Sequence, residues 1–158
     1  MHYKEYGLNQ QYESDKAHKE YQRAVLELRS GNTLAALARV EAALKLHDEP
    51  AWYPCLGFCI AKERGHIMKG LALCQDAVAR EPDHSEHYYY LARVLLVAGR
   101  KPEAISVLRK GLAHGDSAAA RQLLHELGIR KPLLFPQLHR DNPLNKYVGM
   151  LFSRLGLR

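Results

Sequence analysis

The chain has 158 residues, 47% of them hydrophobic and 25% charged, with 23 Lys and Arg against 17 Asp and Glu for a formal net charge of +6. A chain of this size buries a core without needing disulfides or a structural metal, and its apolar content excludes wholesale disorder. Its three cysteines cannot pair evenly, which argues against a secreted disulfide scaffold, and no stretch reaches the roughly 18 apolar residues of a membrane span.

The start, Met1-His2-Tyr3-Lys4-Glu5-Tyr6, lacks the apolar run of a signal peptide, so a cytoplasmic location is expected. Residues 1–16 read as a lead-in, with Tyr3, Tyr6 and Tyr12 scattered among polar residues and at most weak, frayed helix over 1–14.

A repeat of 34 residues follows. Gly31, Gly65 and Gly99 share that spacing, as do Ala36, Gly70 and Ala104, then Val40, Cys74 and Leu108. The columns Ala43, Ala77, Gly111, then Leu44, Val78, Leu112, and finally Asp48, Pro82, Asp116 keep the same phase. Each unit reads as a helical hairpin. The glycine ends the first helix, since it takes the left-handed conformation without steric penalty. Two small positions seven residues apart lie on nearly one face of the second helix and admit close approach. The larger apolar residue between them fills the gap. Pro82 stops its helix at the end of the unit. In the second unit Trp52, Leu56 and Gly57 do not align with Tyr88, Leu91 and Ala92, so its first helix reads as shifted by about one residue.

After the third unit, Ser117 or Asp116 is an N-cap and Gly128 a C-cap around a short helix carrying Leu123, Leu124 and Leu127. That helix caps the apolar end of the stack. Pro132 and Pro136, around Leu133-Leu134-Phe135, make residues 129–141 an extended linker. Asn142 and Pro143 then start a helix over 142–158. Its apolar residues Leu144, Tyr147, Val148, Leu151, Phe152 and Leu155 share one face.

The charge is unevenly placed. Residues 129–158 hold six Lys and Arg against one Asp, a net of +5, while residues 1–128 net only +1. The tail either folds back on the last hairpin or meets a partner, a second copy or an anionic membrane surface; the membrane is not favoured. Nucleic acid is disfavoured, because the cations are sparse and the aromatic residues sit on the apolar stripe.

The repeat resembles the tetratricopeptide repeat. In the third unit Tyr88, Leu91, Ala92, Leu95, Gly99, Ala104, Leu108 and Gly111 fall at its signature positions. In the first, Glu20, Arg23, Ala24, Glu27, Gly31, Ala36, Val40 and Ala43 do, with a more polar first helix than the family norm. The resemblance covers about residues 17–128 and implies an all-α fold: three hairpins and a capping helix, to which this chain adds the C-terminal amphipathic helix. It also implies a groove lined by the first helix of each hairpin, where such arrays bind peptides. Carried over residue by residue, the groove positions are Tyr21, Val25, Leu28 and Arg29; then Trp52, Cys55, Cys59 and Lys62; then Glu86, Tyr89, Tyr90, Arg93 and Val97. Tyrosine with a few arginines suits peptide binding, although Tyr88 is expected between hairpins. The Lys and Asn clamp of chaperone-tail receptors is missing, since Tyr21, Val25 and Tyr90 occupy those places.

Catalysis leaves no trace. There is no nucleophile elbow, P-loop or dinucleotide fingerprint. Cys55, Cys59 and Cys74 lack metal-ligand spacing and read as core, and His84 and His87 flank a helix start without forming a zinc motif. The reading is a non-enzymatic adaptor or scaffold without cofactor or metal. It binds a protein or peptide in the groove, with self-association or membrane attachment through the terminal helix as the alternative.

Overall fold

The computed structural model describes residues 2–128, with side chains from Gln10 onward. The expectations for the linker 129–141 and for the helix 142–158, with Leu144, Tyr147, Val148, Leu151, Phe152 and Leu155, lie outside the described residues. The described elements are α1 (His2–Arg29), α2 (Thr33–Leu46), a 3-10 turn (Pro50–Trp52), α3 (Tyr53–Arg64), α4 (Ile67–Arg80), α5 (Ser85–Val97), α6 (Lys101–His114) and α7 (Ala118–Gly128). No strand occurs among these residues, so the fold is all-α. Helices α1/α2, α3/α4 and α5/α6 pair as three hairpins, and the chain through Glu126 is one compact unit.

The hairpin turns follow from glycine. Gly31, Gly65 and Gly99 have φ of 83°, 68° and 75°. At Gly31 the Asn32 amide donates to the Glu27 carbonyl and the Gly31 amide to that of Leu28. At Gly99 the pattern recurs, with Arg100 donating to Leu95 and Gly99 to Leu96. Both are Schellman caps, which satisfy carbonyls the helix end would otherwise leave open. Asn32 then caps α2 through its side chain, which accepts from the Ala35 amide at 3.3 Å.

The small-residue columns mark the closest helix contacts. Ala36, Ala43, Ala104, Val40, Cys74 and Leu108 are fully buried. A Cβ on Gly70 would lie 2.5 Å from the Gly57 carbonyl oxygen, and one on Gly111 would lie 2.5 Å from Tyr88 Cβ. Burying side chains the size of Val40 and Leu108 contributes about 1.5–3 kcal/mol each. Ion pairs join helices at the rim: Arg39 reaches Glu20 at 3.1 Å and Glu27 at 3.5 Å, and Arg64 reaches Glu41 at 2.7 Å. Each is solvent-accessible and contributes under about 1 kcal/mol.

One expectation needs correction, and another gains detail. Residues 2–16, expected to be at most weakly helical, form the first half of α1, a single helix of 28 residues. No proline interrupts them, and once α1 is anchored on α2 each further residue adds a bond at little cost. The second unit is not shifted. Left-handed Gly65 and Gly99 follow α3 and α5 at the 34-residue spacing, and Pro54, Gly57, Phe58, Ile60 and Ala61 are buried where Tyr88, Leu91, Ala92, Val94 and Leu95 are. Residue sizes are exchanged within an unchanged phase, with Gly57 standing where unit three has Leu91 and Phe58 where it has Ala92.

Candidate functional site: a cleft between the first helices and α7

Helices α1, α3 and α5 supply the site. At its centre, Tyr21, Cys55, Cys59 and Tyr90 bring their polar side-chain atoms together. Cys55, Cys59 and Tyr90 are buried. Burial pushes the Tyr21 and Tyr90 phenols and the Cys74 thiol up, so all three are neutral near pH 7. These groups pack the helices together and carry no charge to a ligand.

Trp52 belongs to the same packing. It stacks on Tyr21 with centroids 4.7 Å apart and planes 9° apart, flanked by His18 at 6.0 Å and His47 at 6.4 Å. It is 6% exposed, and Tyr90 3%. Both residues join hairpins, so of the sequence-derived groove set they present almost no surface, like Cys55 and Cys59 at 0% and Leu28 at 8%. Tyr21, Val25, Glu86, Tyr89 and Arg93 are half-buried, and Arg29 and Lys62 are exposed. Lys62 stands in the last turn of α3.

Two open depressions adjoin this centre. A shallow one of about 360 Å³, mainly apolar, runs along α1 past His18, Tyr21, Val25 and Arg29. A cleft of about 510 Å³ lies where Leu28 and Arg29 of α1 face Tyr89 and Arg93 of α5, closed by Ala119, Gln122, Leu123 and Glu126 of α7. Arg29 lines both, so the surface is continuous. The Arg93 guanidinium lies 3.6 Å from the centroid of the Phe58 ring and 5.4 Å from that of Tyr89. Tyr89 in turn meets Tyr90 edge-on at 5.2 Å.

Two contributors escaped sequence reasoning. Phe58, the platform under Arg93, was hidden by the apparent register shift; keeping the 34-residue phase would have aligned it with Ala92 and flagged a large residue at a small position. Helix α7 was assigned only a capping role, and its cleft-side residues carry no sequence signal beyond helix propensity. Ser117 does cap it, accepting from the Ala120 amide at 3.2 Å, and Ala120 is buried.

Away from the cleft, His84 and His87 stack at 4.3 Å where hairpins two and three meet. His87 is 2% exposed, with Nε2 3.2 Å from a Glu81 carboxylate oxygen. Burial holds its imidazole below the ordinary value, against the opposing pull of Glu81. Among the described residues no group of three or more His, Cys, Asp or Glu is placed to hold a metal ion. No described helix is long and apolar enough to cross a membrane.

The tetratricopeptide repeat family profile matches residues 57–120, from the middle of α3 into α7. The 34-residue hairpins with left-handed glycine stops span the same stretch and extend before it. Residues 57–120 thus match the tetratricopeptide repeat, and the hairpin before them has the same form. The tetratricopeptide domain of Sgt2 from Aspergillus fumigatus has the same fold, with a TM-score of 0.52 and 16% identity over 71% of this chain and 76% of that one. Yeast Tom70 is a more distant structural match, with a TM-score of 0.44 and 20% identity over 89% of this chain and 34% of that one. No curated protein sequence shows a significant match.

Proposed function

We propose that the chain is a non-enzymatic adaptor whose first helices and α7 bind a segment of a partner protein along the α1 depression and the Arg29–Arg93 cleft. The single observation that carries this reading is the cleft itself. Half-buried Tyr89 and Arg93 face α1 and α7 across about 510 Å³ of open space and keep surface that buried Trp52 and Tyr90 lack. A tyrosine and an aromatic-backed arginine beside apolar walls is the composition that dominates binding energy in protein interfaces. Tyr21, Val25, Arg29 and Glu86 extend the same surface, with Lys62 at its α3 edge.

The test is affinity recovery of partners on immobilised full-length chain, comparing wild type with Tyr89→Ala and Arg93→Ala. Each substitution is expected to reduce recovery of a specific partner at least about tenfold, the effect of one interface residue worth about 1.4 kcal/mol. Melting temperature should stay nearly constant. Unchanged recovery, or a loss that tracks unfolding, contradicts the reading.

A further inference from the structure

We propose that the cleft between α1, α5 and α7 is an acidic-residue subsite: Arg29 and Arg93 hold the side-chain carboxylate of an internal Asp or Glu in the bound peptide. This rests on the groove reading above and names the chemistry of its ligand.

The first observation is an imbalance of partners. Of the nine arginines among the described residues, Arg23, Arg39, Arg64, Arg80, Arg100 and Arg121 each have a carboxylate within 4.0 Å. Arg29, Arg93 and Arg109 have none among these residues, and two of those three line the same cleft. Glu126 is the one carboxylate among the cleft's lining residues, and it accepts from Gln122 at 3.0 Å. Two guanidinium groups against one carboxylate leave the cleft net positive.

The second observation is how Arg93 is held. Its guanidinium lies over the Phe58 ring at 3.6 Å, with Tyr89 on a further side. Ring stacking engages the faces of the guanidinium plane and leaves its N–H edge for hydrogen bonds. A half-buried guanidinium fixed in this way is prepared for a planar two-oxygen acceptor, which a carboxylate supplies in bidentate form. Little side-chain freedom remains to be lost on binding.

An internal residue is favoured over a chain terminus by the continuity of the surface. Arg29 lines both the cleft and the apolar depression along α1. A peptide with its carboxylate at the arginines has an apolar path onward past Val25 toward His18. The subsite therefore reads an acidic residue flanked on one side by apolar residues.

The test begins with a display selection of random dodecapeptides with blocked C-termini against the full chain. Peptides selected by wild type, and displaced by excess of one another, should be enriched severalfold in Asp and Glu next to an apolar run. In synthetic amidated versions, replacing the acidic residue by Gln should weaken binding about tenfold, the value of one charged hydrogen-bonded contact. Arg29→Gln and Arg93→Gln should each erase the difference between the acidic and Gln peptides. If Arg93→Gln melts early, Arg29→Gln alone decides. Selected peptides without acidic enrichment, or Gln peptides that bind equally well, overturn the subsite; if their binding is still lost in Tyr89→Ala, the groove reading survives. Phosphoserine at the acidic position binding much more tightly than Glu, or a requirement for a free C-terminus, reassigns the arginines and overturns the proposal. Failure to select any peptide that wild type binds and Tyr89→Ala does not contradicts both readings.

Discussion

Gly111→Ala tests how helix α5 is seated. Alanine is the better helix former by about 1 kcal/mol, so in an exposed helix the change stabilises. Here the new methyl would lie 2.5 Å from Tyr88 Cβ, 2.8 Å from its Cγ and 3.2 Å from its Cδ2. Carbon atoms rest about 3.5–4.0 Å apart, so α5 and α6 must separate by roughly 1 Å at this point. Tyr88 cannot turn aside. It is 2% exposed, its ring stacks on His114 with centroids 5.8 Å apart, and the closest atom is its backbone-anchored Cβ. Overpacking of this kind costs about 1–3 kcal/mol, and propensity returns about 1 kcal/mol, for a net loss of up to about 2 kcal/mol. The assay is urea unfolding followed by far-UV circular dichroism, with melting as a check; each kcal/mol is worth roughly 2–4 °C in a chain of this size. Because α5 carries Tyr89 and Arg93, ligand binding should weaken too. A Gly111→Ala protein about 1 kcal/mol more stable than wild type would refute the packing argument, since that is what propensity alone gives.

Three further outcomes follow from the same geometry. Gly99→Ala meets no atom within 4 Å but must hold φ near 75°, so it should cost about 1 kcal/mol of backbone strain in urea unfolding; no loss would mean the turn relaxes out of the left-handed region. His87 has its pKa lowered by burial, so the unfolded chain binds its proton more readily. Its contribution is fully present above the unfolded value, about 6.5, and is lost as pH falls below that value. Stability measured at descending pH should therefore fall faster in wild type than in His87→Gln, and parallel pH curves would contradict this. Arg39→Ala removes rim ion pairs to Glu20 and Glu27, yet unfolding should shift by less than about 1 kcal/mol; a larger loss would show that these pairs do more than line the rim.

Much of the array could be read from residue spacing because each 34-residue column reports one recurrent contact. Gly99 marks a left-handed turn, and Ala104 and Gly111 mark where α6 approaches α5; these are single-residue requirements imposed by local geometry. Exchanges between columns were harder. Gly57 and Phe58 reverse the sizes of Leu91 and Ala92, and residue size alone then imitates a slipped register although helix length and Gly65 keep the phase. The first half of α1 was obscured because its residues are mostly polar, so hydrophobic periodicity had little to act on. Of the groove residues, Tyr89 and Arg93 line the cleft between α1, α5 and α7, while Trp52 and Tyr90 are buried in packing between helices. The seating of Arg93 on Phe58, and the side that α7 turns to the cleft, depend on how helices distant in sequence meet. No local pattern encodes that.

The most direct measurement of the central claim is site-specific photocross-linking in cells. A photoreactive residue replaces Gln22 on α1, Gln122 on α7, or Gln75 on the exposed side of α4, each an exposed position. Binding along the first helices and α7 predicts a common partner adduct from positions 22 and 122, none from 75, and loss of the adduct when Tyr89→Ala and Arg93→Ala are added. An adduct formed from position 75 instead, or one that persists with both substitutions, would contradict the account.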